Sequence, residues 1–522
     1  MNAFITCRNT ARHAIGGVVW LFATLPAVVP GQTYKVVNMI PAKWSAETLQ
    51  NSEPTIGAHP TVTSFLAATA FTSGASPCKS SAGAPIFVST DEGDTWGLSC
   101  VIPTQFSPWP MDMTVGFSGD GTALYIGSLD FDDTGPRLIA NVFGLRKPPR
   151  PRRPKLLTSG SIITGFQTLL FTRTSTDQPQ VATPPTGGLM VSVVGANRGT
   201  PDSPADSCLD LFAWSSQDPW NAPESPKCLA DNRPLVGVGS VPAVRVAPHS
   251  DGTTYAILYR PVIDGSRFDV VVYRHDPSTP GFGFPPDTPA TGSGPASGSL
   301  SDCDRHDGLA GSRVVRCVYY YPPSGVFAGD FGQERRVGTE LSVAIDPQNS
   351  KTVYIAWAER SPTNDEHLAL HFAHSEDGGE NWIFSPWSVD HATNPALAVA
   401  SDGAVGILYE QLEGTAPEDH WVTHIAISTD RLGSAPSSDQ WLANVLAHQP
   451  AMQSPPYLGD YIRLVARDRN FYGVFPASND LSTGSFFNLT SHRYYDASGH
   501  PKTRKGARVD ISIDPYFFKV IR

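Results

Sequence analysis

The chain has 522 residues, 40% of them hydrophobic and 17% charged, enough apolar material for a large core and too little charge for a disordered polymer. Its net charge of −11 argues against a nucleic-acid-binding surface. With 46 glycines and 47 prolines, turns are frequent and long helices are disfavoured.

The N-terminus reads MNAFITCRNTARHAIGGVVWLFATLPAVVPGQ, with Arg8 and Arg12 ahead of an apolar run from Ala14 to Val29. This is the pattern of a secretory signal cut between Ala27 and Gln32. Residues 1–31 are therefore read as signal and 32–522 as a single domain, secreted to the extracellular space or periplasm. An uncleaved anchor is the other reading, although the run is short for a membrane span. No later segment is apolar enough to cross a bilayer, so no membrane span is expected after signal removal.

Six cysteines remain beyond Cys7, and six permit fifteen pairings. Each near neighbour flanks one strand-rich unit, which predicts Cys78–Cys100, Cys208–Cys228 and Cys303–Cys317. Each bridge would contribute on the order of 3 kcal/mol. No C-x-x-C occurs, and neither a metal nor another cofactor is expected. The segment RKPPRPRRPK (146–155) reads as a stiff solvated loop, with a polyanion contact or protease site as the alternatives.

Seven stretches then read as strand, turn, strand. They are SEPTIGAHPTVTSFLAATAFT, DMTVGFSGDGTALYIGSLD, DQPQVATPPTGGLMVSVVGANR, PAVRVAPHSDGTTYAILYR, ELSVAIDPQNSKTVYIAWAER, NPALAVASDGAVGILYEQ and, less cleanly, DYIRLVARDRNFYGVFPASN. A third strand follows most of them, as in APIFVSTDEGDTW and LALHFAHSEDGGENW. Long repeats of about four strands predict an all-β fold, a β-propeller of antiparallel four-stranded blades. Six or seven blades fit, and the strand-pair count gives seven. TYKVVNMI near the start, or ARVDISIDPYFFKV at the end, is expected to close the ring.

The spacing S-x-D-x-G-x-x-W occurs twice, at Ser89, Asp91, Gly93 and Trp96 and at Ser375, Asp377, Gly379 and Trp382. Glycine supplies a positive-φ turn, aspartate accepts backbone N–H bonds across it, and tryptophan offers a flat packing face. These motifs resemble the Asp-boxes (BNR repeats) of sialidase-like propellers. The resemblance implies outer hairpins of a propeller with a glycan-related role.

In a propeller, residues entering each inner strand and leaving the next meet at one channel mouth. Entrances carry Glu53, Asp112, Asp177, Glu340, Asn394 and Asp460; exits carry Asp130, Asn197, Arg198, Arg260, Glu359, Arg360 and Glu410. Carboxylates crowded in a cleft have their pKa values pushed apart, which suits Asp112, Asp177, Glu340, Asp460 and Glu410 to acid–base work. Arg198, Arg260 and Arg360, with Glu53 and Asn394, would hold an acidic sugar.

Two departures from the sialidase pattern argue against sialic acid cleavage. Ser52 in SEPT stands where the carboxylate-binding arginine belongs, and Asn394 in NPALAVASDGAVGILYE replaces the tyrosine nucleophile. Tyr461 or Tyr409 is the remaining tyrosine candidate. His367, His371 and His374 have helical metal spacing in a strand context, which places His371 and His374 on opposite faces. Asn488 heads a glycosylation sequon. Two functions remain: a glycoside-hydrolase-like propeller acting on extracellular glycans, or a non-catalytic platform for glycan or protein.

Overall fold

A computed structural model describes residues 31–73, 84–102, 112–132, 135–145, 163–174, 176–183, 190–197, 208–215, 227–231, 244–261, 267–276, 311–319, 341–360, 368–415, 417–447, 449–450, 458–459 and 461–522. Its regular structure is nearly all antiparallel strand, in seven sheets of four or five strands and one two-stranded ribbon. Their innermost strands are Gln50–Ala58, Met113–Phe117, Thr176–Ala182, Val244–Pro248, Ser342–Asp346, Ala392–Val399 and Arg463–Arg467, and the sheets are called blades 1 to 7 in that order. These strands touch in sequence, and the last returns to the first.

The inner strands share one register. Thr55, Thr114, Gln180, Arg245, Ser342, Ala396 and Arg463 occupy equivalent ladder positions. An aliphatic residue follows each (Ile56, Val115, Val181, Val246, Val343, Leu397, Leu464), then a small one in six blades, from Gly57 and Gly116 to Ala398. Gly116 shows why small is required: a Cβ there would lie 2.7 Å from Val181 Cγ1 on the neighbouring blade. The first position ties blades together. Thr55 Oγ1 donates to Met113 O at 3.3 Å and Val181 N donates to Thr114 Oγ1 at 2.9 Å. Gln180 both accepts from Val246 N and donates to Val246 O, at 2.9 and 3.2 Å, and Leu397 N donates to Ser342 Oγ at 2.9 Å.

Both terminal segments close the ring, where the sequence suggested one or the other. Blade 7 runs outward from Arg463–Arg467 through Asn470–Ser478 to the C-terminal strand Ile513–Ile521, then to the N-terminal strand Thr33–Asn38. Phe517 and Phe518 of the C-terminal strand are fully buried, each such side chain worth about 1.5–3 kcal/mol.

A buried charge cluster clasps this closure. Arg493 donates to both Asp514 oxygens at 2.5 and 2.7 Å and to the Ser45 and Glu47 carbonyls, while Asn38 Nδ2 donates to Asp514 at 2.7 Å. Glu47 lies 3.6 Å from the same guanidinium. Desolvation and then the Asp514 charge push the Glu47 carboxyl up to about 8, against the pull of Arg493.

The expected disulfides fall largely outside the described residues, since Cys78 and Cys303 are not among them; Cys317 is disulfide-bonded. The basic segment 146–155 also lies outside them. No helix among the described residues is long and apolar enough to cross a membrane.

Arg493→Met leaves Asp514 buried without its partner and should cost about 3–5 kcal/mol in urea unfolding. Lys35→Met removes an exposed 2.8 Å pair with Asp94 and should cost less than about 1 kcal/mol. Because the Glu47 carboxyl is raised, its folded form keeps a proton that the unfolded chain loses above 4.5. Its contribution is full below that pH and is lost as pH rises through about 8. Unfolding midpoints of the wild type should therefore fall relative to Glu47→Gln across this window.

Candidate site at the channel mouth

The inner strands enclose a narrow bore of about 160 Å³, smaller than the roughly 300–1,000 Å³ of an ordinary ligand pocket. A sugar would have to sit at its mouth. The polar residues gather there, two positions ahead of the shared register: Glu53, Asp112, Asn394 and Tyr461, all buried.

The local chain path is a repeated device. Glu53-Pro54, Gln178-Pro179 and Asn394-Pro395 each introduce an irregularity between Ser52 and Thr55, Asp177 and Gln180, and Thr393 and Ala396. A residue before proline favours extended backbone, yet Glu53 and Asn394 have φ of 50° and 51°. Each left-handed side-chain-bearing residue costs about 1–3 kcal/mol, and such strain persists only where the surroundings fix it.

The surroundings here are blade 7. Glu53 N donates to Leu458 O at 3.4 Å, and Asn394 Nδ2 donates to Gly459 O at 3.2 Å. Asn394 Nδ2 also donates to Glu410 Oε2 at 2.8 Å, and Glu410 is itself buried across the ladder from Thr393. Gly459 has φ of 105°, and a Cβ on it would lie 2.2 Å from Glu53 Cγ. Blades 1, 6 and 7 thus meet around Leu458–Gly459, with a carboxylate on one side and an amide–carboxylate pair on the other.

Deeper in the bore stand Arg245 and Arg463. The Arg245 guanidinium lies 5.5 Å from the Tyr461 ring. Arg463 opens partly to the bore, yet protein surrounds it so fully that desolvation, and then the Arg245 charge, lower its pKa to about 10. Neither arginine was singled out from sequence. The available signal was a cation in the shared polar position of VRVAP and IRLVAR, flanked by aliphatic residues.

The other expected residues divide. Asp177 sits one position earlier in register than Glu53 and Asn394, the place held by Ser52 and Thr393, so it is not their equivalent. Arg260 pairs with Asp269 along the backbone of its strand, and Arg360 is buried at the end of Asn349–Arg360. Glu359 turns to His371, 3.2 Å away. Arg198, Glu340 and Asp460 lie outside the described residues. Tyr409 is not a nucleophile at the mouth: it donates to Asp439 at 2.7 Å and stacks on His424, while its neighbour Glu410 takes the opposite face. His371 stacks on Trp357 and His374 on Tyr354, on opposite faces of one strand, which is not a metal arrangement.

The repeated S-x-D-x-G-x-x-W motifs close outer hairpins. Ser89 Oγ donates to Asp91 and accepts from Gly93 N, both at 2.8 Å; Ser375, Asp377 and Gly379 repeat this with the same two distances. Trp96 then packs edge-on against Phe517 of blade 7 at 5.2 Å. A Cβ on Gly93 would lie 2.0 Å from the Phe517 ring. A third such hairpin, whose sequence lacks the motif's glycine and tryptophan, lies in blade 6: Ser428 Oγ donates to Asp430 at 2.8 Å and accepts from Leu432 N at 3.0 Å. Leu432 holds the glycine's place with φ of 65°, its side chain buried in the core.

The architecture is that of a β-propeller. No protein-family model and no curated protein matches the chain. Among solved structures it is similar to the GH93 α-L-arabinofuranosidase of Fusarium graminearum in complex with arabinobiose, at 10% identity and a TM-score of 0.38 over 93% of this chain and 98% of that one. It is also similar to the intramolecular trans-sialidase from Ruminococcus gnavus (13% identity, TM-score 0.36, 72% and 92% covered). The six-bladed fungal lectin from Aleuria aurantia follows at 10% identity and a TM-score of 0.33, with 70% and 86% covered. Values this low leave function to the site itself.

The packing around Gly459 gives a direct test. Gly459→Ala combines a disfavoured φ with a clash against Glu53 and should cost more than about 2 kcal/mol. Gly403→Ala, with φ of 82° and nothing within 4 Å of its Cβ, should cost about 1 kcal/mol. Equal costs in chemical denaturation would contradict the proposed packing.

Proposed function

We propose that this propeller is a secreted protein that recognises extracellular glycans at the channel mouth, by binding rather than cleavage. The observation that carries the reading is the convergence of Glu53, Asn394 and Glu410 around Leu458–Gly459 on strained backbone. Strain of this kind gathers where function fixes a geometry, and carboxylates and amides suit the hydroxyls of a sugar. Binding is favoured because Glu53, Asn394 and Glu410 are each only 1% exposed and Asp112 6%. They form a floor beneath the mouth, whereas cleavage needs a carboxyl within hydrogen-bond reach of the glycosidic oxygen.

Acid–base chemistry is the second reading. It is favoured by the Asn394–Glu410 contact, a carboxylate held at 2.8 Å from the position where the resemblance would put a tyrosine nucleophile. A glycan array followed by mass spectrometry of the eluate separates the two. Wild type should retain glycans and release no product, and Asp112→Asn and Glu410→Gln should change affinity alone. Product release that stops in Glu410→Gln at an unchanged unfolding midpoint would establish cleavage instead. Retention of no glycan contradicts both. The proposed export is tested by N-terminal sequencing of the mature chain, which should begin between residues 28 and 33.

A further inference from the structure

We propose that the outward face of the small sheet standing over blade 7, a row formed by Tyr494, Lys502 and Arg508, binds an acidic polysaccharide bearing carboxylate or sulfate groups. The choice of a glycan rests on the reading of the mouth above. The row lies beside the mouth, on an outer surface of the molecule, and takes no part in the bore.

Its position follows from the ladder of blade 7. Residues 479–512 leave the blade between Ser478 and Ile513, which stand opposite each other. That end is the mouth end, because Tyr461 precedes Arg463, and Arg463 pairs with Val474 on the strand that continues to Ser478. Here Tyr494–Tyr495, Pro501–Lys502 and Arg508 form three short antiparallel rungs. They are anchored to the body: Tyr494 N donates to Ser45 Oγ at 3.2 Å, and Leu481 N donates to Gly499 O at 3.0 Å. Arg493, the residue before the first rung, is held in the buried clasp. Pro501 and Val509 are buried beneath the sheet, so strand alternation turns Tyr494, Lys502 and Arg508 outward together.

Four of the seven residues from Lys502 to Arg508 are cationic, on a chain whose net charge is −11. Among the described residues, Lys502, Arg504, Lys505 and Arg508 have no ion pair or side-chain hydrogen bond. The acid on the ribbon, Asp496, accepts instead from Ser498 N and His500 N at 2.9 and 3.0 Å. Lys502 and Arg508 stand directly opposite each other, a like-charge arrangement that destabilises a ladder. The turn between them is ordered: Thr503 N donates to Ala507 O at 2.7 Å, and Ala507 N donates to Thr503 Oγ1 at 3.1 Å. Positive charge is thus concentrated on fixed backbone with nothing to offset it, and a polyanion laid along the row relieves the repulsion. Tyr494 adds a ring at the end of the row. Neighbouring rungs lie about 4.8 Å apart, close to the length of one sugar unit, so successive sugars can meet the ring and then the two cations. The guanidinium and ammonium groups suit carboxylate or sulfate oxygens. An acidic polypeptide offers the charge without a sugar ring for Tyr494.

Biolayer interferometry of the full chain tests this against immobilised polygalacturonate, dextran sulfate, neutral dextran and poly-L-glutamate. Wild type should bind polygalacturonate or dextran sulfate and leave dextran unbound, the tighter of the two naming the acidic substituent. The double variant Lys502→Gln, Arg508→Gln should weaken that binding about tenfold or more at an unchanged unfolding midpoint. The same charge change made far from the row, Arg431→Gln with Arg469→Gln, removes two exposed surface pairs and should alter binding less than about twofold. Tyr494→Ala should weaken polysaccharide binding alone. Equal losses in the two double variants, or no polysaccharide bound by wild type, overturn the proposal. Poly-L-glutamate bound as tightly as the polysaccharides overturns it in favour of an acidic protein partner. Neutral glycans retained on the array without any preference for polygalacturonate or dextran sulfate would sink the blade 7 surface alone. Polysaccharide bound through Lys502 and Arg508, with Asp112→Asn and Glu410→Gln without effect, would sink the mouth reading alone.

Discussion

Each blade presents apolar faces that only a neighbouring blade can cover, so the molecule depends on the ring being complete. Closure rests on the pairing of Thr33–Asn38 with Ile513–Ile521 in blade 7, residue against residue from Thr33 opposite Ile521 to Asn38 opposite Tyr516. The strand register then does two things at once. It buries Val36, Val37, Phe517 and Phe518, and it delivers Asn38 and Asp514 to the buried Arg493 cluster. Hydrophobic burial drives this closure, and the ion cluster makes one alignment preferable to its slipped alternatives.

The inner girdle transmits that order to the site. Small residues in six blades let the strands approach closely, and threonine, glutamine and serine side chains fix four of the seven strands to the next. With the strands so fixed, the x-Pro irregularities in blades 1 and 6 aim Glu53 and Asn394 at the same two residues of blade 7. The polar geometry at the mouth is thus a property of three blades acting together. It would not survive in an isolated repeat.

The sequence announced the architecture because strand periodicity and turn glycines are local signals. Both strands of all seven strand–turn–strand segments occur among the described residues, including those of the less regular DYIRLVARDRNFYGVFPASN, which form the inner hairpin of blade 7. The contacts of Glu53, Asn394 and Glu410 were foreshadowed only in outline. Their strained φ values and the intervening Gly459 depend on packing between distant segments, which no local pattern encodes. Asp177 was misplaced because a two-residue irregularity shifts the register where the eye counts from the strand start. Arg245 and Arg463 are not legible at the strand ends because they lie in the inner strands themselves, where alternation alone does not say which face meets the bore. The third Asp-box hairpin was missed for a different reason: Leu432 adopts the turn conformation that glycine usually supplies, held there by its buried side chain.

Ring closure by both chain ends can be tested with a chain that begins at Met39 and therefore lacks the Thr33–Asn38 strand. With the outer edge of the Ile513–Ile521 strand uncovered, the truncated protein should lose its single cooperative unfolding transition, bind a hydrophobic dye and self-associate. Adding the six-residue peptide TYKVVN in excess should recover part of the transition. A truncated monomer that unfolds cooperatively at the full-length midpoint would contradict the account.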